Sequence, residues 1–64
     1  MISFTAKYFN HGRNVLDEVG FYVQEIGGYF ETHRGFVVEF FVPVEYRDFI
    51  LMKYPFLEEV EYVL

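Results

Sequence analysis

The hydrophobic period of this 64-residue chain switches repeatedly between two and about 3.6, and the order of the switches reads strand, helix, strand, strand, helix, strand. Ile2, Phe4, Ala6 and Tyr8 alternate with Ser3, Thr5 and Lys7, the pattern of a half-buried strand. Asn10, His11 and Gly12 break it. Asn14 is placed to cap a helix, with Asp17 and Glu18 in the first turn at the positive end of the helix dipole. The helix is expected to run to Ile26. Val15, Val19, Tyr22, Val23 and Ile26 form its buried stripe, with Leu16 alongside. Gly27 and Gly28 then supply a C-cap.

Residues 29–33 read as a short strand, and Arg34-Gly35 as a hairpin turn with glycine in the left-handed position. Residues 36–42 are the strongest strand. Phe36, Val38, Phe40 and Val42 share one face, and Val37, Glu39 and Phe41 the other. Pro43 fits the first turn of a second helix, where Tyr46, Phe49, Ile50 and Lys53 follow at helical spacing. Pro55 stops that helix by forcing Tyr54 out of helical geometry, and residues 56–64 form the last strand.

This order is the ferredoxin-like, split β-α-β-β-α-β arrangement, an α+β fold. Right-handed crossovers would place two helices on one face of a four-stranded antiparallel sheet, with the first and third strands central. One domain spanning residues 1–64 is expected. Met1 opens the first strand and Leu64 closes the last, so the expected product is one bare domain. A chain this short buries only about 60% of its unfolded surface. It has no Cys for a disulfide or a thiolate metal ligand, and relies instead on nine Phe and six Tyr. No signal peptide or membrane span is visible, so a cytoplasmic protein is expected, and no membrane partner.

Ten acidic against five basic residues give a net charge of -5. That balance argues against direct binding of nucleic acid and favours a larger, basic protein as partner. Two surfaces are candidates. If Phe4, Tyr8, Phe36, Val38 and Phe40 face the helices, then Phe9, Tyr29, Val37, Phe41, Leu57 and Val63 lie on the open face of the sheet, beside Thr5, Lys7, Glu39 and Glu59. Apolar surface of that extent marks an interface with a partner or with a second copy in a homodimer. The second surface is acidic, with Glu58, Glu59 and Glu61 along an edge strand. Those charges protect the edge from strand-to-strand association, or dock on a basic site.

Chemistry-bearing motifs are sparse. His11, Gly12, Arg13 and Asn14 precede a helix N-terminus, where backbone amides can hold an anion. That turn offers an alternative function: a small-molecule or anion-responsive regulatory domain, or a minimal enzyme acting on a phosphorylated substrate. Acylphosphatases use this region of the same fold, but their longer glycine-rich loop is absent here. His11 and His33 belong to different loops and have no ligand-spaced partners in the sequence, so neither a metal nor a cofactor is expected. Arg34, Gly35, Phe36 and Phe41 match the longer ribonucleoprotein signature of RNA-recognition motifs, which share this fold. Val37, Val38 and Glu39 depart from it, and presenting Phe36 and Val38 to RNA would bury Glu39. In size and charge the chain resembles the small acidic inhibitors made by bacterial viruses, a likeness of class rather than motif. The expected function is therefore a non-enzymatic protein-binding module, an inhibitor or regulator of a larger protein.

Overall fold

The computed structural model describes residues 1–60. It is an α+β fold: an open four-stranded antiparallel sheet with three helices. The strands are β1 (Ile2–Lys7), β2 (Tyr29–His33), β3 (Val37–Val42) and β4 (Glu58–Glu59), in the spatial order β2-β3-β1-β4. The helices are α1 (Tyr8–His11), α2 (Arg13–Glu25) and α3 (Arg47–Lys53), with a 3₁₀ turn at Val44–Tyr46 leading into α3.

The two strands with the fullest apolar alternation lie in the centre. Their register sets Ile2 opposite Val42, Phe4 opposite Phe40 and Ala6 opposite Val38 on one face. Phe4, Phe40 and Val42 are fully buried there against Leu16, Val19 and Val23 of α2 and Ile50 of α3. Leu16, Val19, Gly20 and Val23 fall at i, i+3, i+4 and i+7, one helical face. Val15 was expected in that stripe. It sits about 100° around the helix from Leu16, at the margin, and is 39% exposed.

The chain leaves α2 through a close approach. Gly28 donates its N–H to Val23 (2.8 Å). A Cβ at Gly28 would lie 2.2 Å from the Phe41 carbonyl oxygen and 2.7 Å from Val23 Cγ1, so only glycine lets the helix end pass so near β3.

Several local expectations are corrected. The first strand ends at Lys7, and Tyr8 begins α1, a four-residue helix with no counterpart in the sequence reading. Asn14 is not the cap: the helix starts at Arg13, Gly12 occupies the cap position with φ 77°, and no side chain caps it. Pro43 lies just outside the 3₁₀ turn in extended geometry (ψ 137°), one position earlier than expected. In α3 only Ile50 is buried, while Phe49 is 63% exposed and Met52 80% exposed. The last strand starts at Glu58 rather than at Phe56, because residues 54–57 turn instead: the Leu57 N–H donates to the Tyr54 carbonyl (3.2 Å); residues 61–64 of the expected strand lie outside the described residues. Among the described residues, no helix is long and apolar enough to cross a membrane.

Candidate functional site

The hairpin between β2 and β3 carries the most distinctive local geometry. His33 pairs with Val37, leaving Arg34, Gly35 and Phe36 to make the turn. Gly35 has φ 77°, as a left-handed glycine should, but Phe36 follows it with φ 60°. It is the one non-glycine residue with positive φ among those described. A residue with a Cβ pays about 1–2 kcal/mol for that conformation. The Phe36 carbonyl accepts the Tyr8 N–H (3.0 Å), which ties the turn to the start of α1.

That tie brings two rings together. Phe9 in α1 and Phe36 in the turn meet edge to face, with centroids 5.4 Å apart. Both remain in solvent, at 80% and 60% exposure. Beside them Tyr8, Arg13, Thr32 and Phe36 line an open depression of about 480 Å³. A guanidinium among aromatic rings beside an apolar pair suits contact with a protein surface, where Arg and aromatic residues are enriched.

The expected open face is reassembled in part. Tyr29 and Phe41 are directly opposite across β2 and β3, and their rings stack at 4.6 Å. Val37 shares that face and is half-buried. Phe9 does not belong to it, because the strand has already ended. Phe36 was assigned to the core face and is instead exposed in the turn, since β3 begins one residue later than expected. Leu57 is buried in the core at 5% exposure: it lies in the turn before β4, where strand parity does not apply. Val63 lies outside the described residues.

The acidic edge is also divided. Glu58 pairs opposite Thr5 and is exposed on the open face. Glu59 pairs opposite Phe4, hence on the helix-covered side, and is not a neighbour of the open face as expected. Its carboxylate accepts a hydrogen bond from Arg47 Nε (2.5 Å). Arg47 also contacts Asp48 (3.2 Å). The Glu59 hydrogen bond and charge raise the Arg47 pKa further above its ordinary value. Glu61 lies outside the described residues.

The candidate anion turn does not converge. His11 stacks on Phe56 with centroids 4.1 Å apart, over a small hollow of about 110 Å³ lined also by Lys7, Asn10 and Glu58. Arg13 lines the other depression, with Phe36. The Gly12 N–H donates to the Tyr8 carbonyl (2.8 Å), and Asn14 is exposed within α2. His11 and Arg13 thus line different hollows.

One titrating group is strongly perturbed. Tyr54 is buried, and its hydroxyl donates to Glu18 Oε1 (3.3 Å). Burial, and then the Glu18 charge and hydrogen bond, push its pKa up to about 12. Lys53 Nζ sits 5.4 Å from the Tyr22 ring centroid and 5.7 Å from that of Tyr54, in cation–π contact. This is a structural cluster joining α2 to the end of α3.

The sequence reading missed one grouping. His33 does have partners, because the hairpin register places it beside Glu31 and Glu39 on the open face. The signal was present: Glu31 and His33 are two apart in one strand, and a tight turn at Gly35 fixes Glu39 opposite Glu31. No protein-family model matches the chain, and no curated protein or solved structure matches it significantly.

Proposed function

We propose that the chain is a non-enzymatic protein-binding module, a small acidic inhibitor or regulator that docks on a larger, basic protein. The observation that carries this reading is Phe36. A bulky residue is held at φ 60° with its ring 60% exposed against the still more exposed Phe9. Strain of this kind clusters at binding sites, because selection for stability alone would remove it. The net charge of -5 supplies the complement for a basic partner. The strand order β2-β3-β1-β4, with α2 and α3 against one face, supports the ferredoxin-like arrangement as the scaffold. We place the protein in the cytoplasm on the same footing.

The test is affinity purification with the wild-type chain and with a Phe9→Ser, Phe36→Asn double variant. Both positions are exposed, so circular dichroism should report an intact fold. A stoichiometric partner kept by the wild type, lost by the variant and weakened by salt supports the reading. A partner bound equally by both refutes the role of the aromatic pair. A ligand-shifted melting temperature with no macromolecular partner favours a small-molecule regulatory domain instead.

The stacked Tyr29 and Phe41 on the open face offer a second copy of the chain a place to dock. Light scattering at low and high concentration tests for that homodimer. A strict monomer that binds no hydrophobic dye such as ANS removes the open face from the reading.

A further inference from the structure

We infer that Glu31, His33 and Glu39 form a site for a divalent transition-metal ion, zinc foremost, on the open face of the sheet. Glu31 and His33 are alternate residues of β2, so both project to one face. The antiparallel register sets Glu39 of β3 directly opposite Glu31. One ligand atom from each of the three lies within 4.8 Å of the others.

The distances suit coordination. His33 Nε2 lies 2.9 Å from Glu39 Oε1 and 4.0 Å from Glu31 Oε2. Two ligands bound to one zinc at about 2.0–2.1 Å are roughly 2.9 Å apart at a right angle and roughly 3.4 Å apart at the tetrahedral angle. The His33–Glu39 pair is hydrogen-bonded at 2.9 Å; an ion would replace that hydrogen bond, and the pair would open by about 0.5 Å to the tetrahedral separation. Glu31 needs to move by at most about 1.5 Å to reach that separation from both partners, and its side chain is 54% exposed and free to do so.

Electrostatics points the same way. Two carboxylates directly opposite across a strand pair repel each other. A dication between them turns that repulsion into attraction. The donor set chooses the class of ion: one imidazole nitrogen with two carboxylate oxygens suits zinc and its transition-metal neighbours, whereas calcium and magnesium take oxygen-only cages. Three protein ligands leave at least one coordination position to water or to an outside donor. The side chains of His33 and Glu31 are 44% and 54% exposed, so that position opens to solvent. The ion would also clip β2, an edge strand exposed along its length, to the central β3. This inference stands apart from the proposed partner docking and does not depend on it.

Isothermal titration calorimetry of zinc chloride into the metal-free 64-residue chain tests it, with cobalt absorption as a direct report of the ligand field. The expected result is one ion per chain, a raised melting temperature, and little competition from calcium. His33→Gln should weaken zinc binding at least about tenfold, the smallest loss typical even of outer-shell changes. Glu31→Gln should weaken it too, and His11→Gln should leave it unchanged. Glu31 and His33 are exposed and His11 is half-buried against Phe56, and circular dichroism checks the fold of each variant. Absence of binding at millimolar zinc, binding indifferent to His33→Gln, or binding lost in His11→Gln would each overturn the assignment.

Discussion

Replacing Phe36 by alanine and by glycine isolates the backbone strain from the ring. Both variants lose the aromatic side chain and its edge contact with Phe9, so those losses cancel in the comparison. They differ in what remains at φ 60°. Alanine keeps the Cβ and with it the left-handed cost of about 1–2 kcal/mol. Glycine removes that cost but makes the unfolded chain freer, which takes back about 0.4–1 kcal/mol. The glycine variant should therefore be the more stable of the two by about 0.8 kcal/mol, the difference of the central values. At an extended strand position the order is the reverse, with glycine worse than alanine by about 0.5–1 kcal/mol. The sign alone thus discriminates. Urea titrations of both variants measure it, and for a domain this small 1 kcal/mol corresponds to about 4–8 °C in melting temperature. An alanine variant as stable as the glycine variant, or more so, would mean that Phe36 lies in extended backbone. The strain argument for a binding site would then collapse. Partner affinity is the second readout, and both variants should lose it whichever is the more stable.

Phe40→Ala removes a fully buried ring at the centre of β3 and should cost about 3–5 kcal/mol; a melting temperature within a few degrees of the parent would refute the assigned parity of that strand. Gly28→Ala forces a Cβ to 2.2 Å from the Phe41 carbonyl oxygen and should destabilise by more than about 1 kcal/mol, whereas an unchanged urea midpoint would mean that the helix end does not approach β3 so closely. Tyr54 is held neutral by the fold with its pKa near 12, against about 10 in the unfolded chain, so its contribution is full below pH 10 and is lost as the pH rises from there through 12. Tyr54→Phe should flatten that alkaline fall, and an identical pH profile would argue against the Glu18 contact. Glu58→Gln should weaken partner binding and its salt dependence, since exposed charges act over a Debye length of about 8 Å at physiological ionic strength, whereas Glu59→Gln should change stability only slightly, because its ion pair with Arg47 is exposed to solvent; affinity indifferent to Glu58 across a salt series leaves the aromatic pair as the docking surface.

The elements set by periodicity were legible in the sequence. Phe4, Ala6, Val38, Phe40 and Val42 alternate cleanly, and they share the buried face because a period of two leaves no other arrangement. Leu16, Val19 and Val23 follow from the helical period in the same way. What failed lies where one period hands over to the next. Tyr8 and Phe9 continue the strand pattern by composition, yet the backbone has already turned into α1. Leu57 keeps strand parity on paper but sits in a turn closed by a hydrogen bond to Tyr54. The outward side chains of Phe49 and Met52 reflect scarcity of cover: α3 has seven residues, and one of them, Ile50, is buried in the core.

The candidate site was hidden for a more specific reason, and it has a consequence for both proposals. With His33 paired to Val37, three residues must reverse the chain. The right-handed twist of the flanking strands favours positive φ in such tight turns. Here two consecutive positions adopt it, and the sequence provides glycine at only the first of them. Phe36 therefore leaves the strand without disturbing the parity of Val38, Phe40 and Val42. The same register aligns Glu39 with Glu31 and brings His33 to their side. A slip of one residue would send Glu31 and His33 to the helix-covered face and break the grouping. The packing of Phe30 opposes that slip, because its ring lies over Gly20 on the helix side and the residue pairs opposite the buried Phe40. The exposed aromatic pair and the Glu31–His33–Glu39 cluster are thus two products of one hairpin register. A substitution that shifts that register should abolish partner capture and zinc binding together, whereas changes at Phe36 or at His33 alone should remove only one.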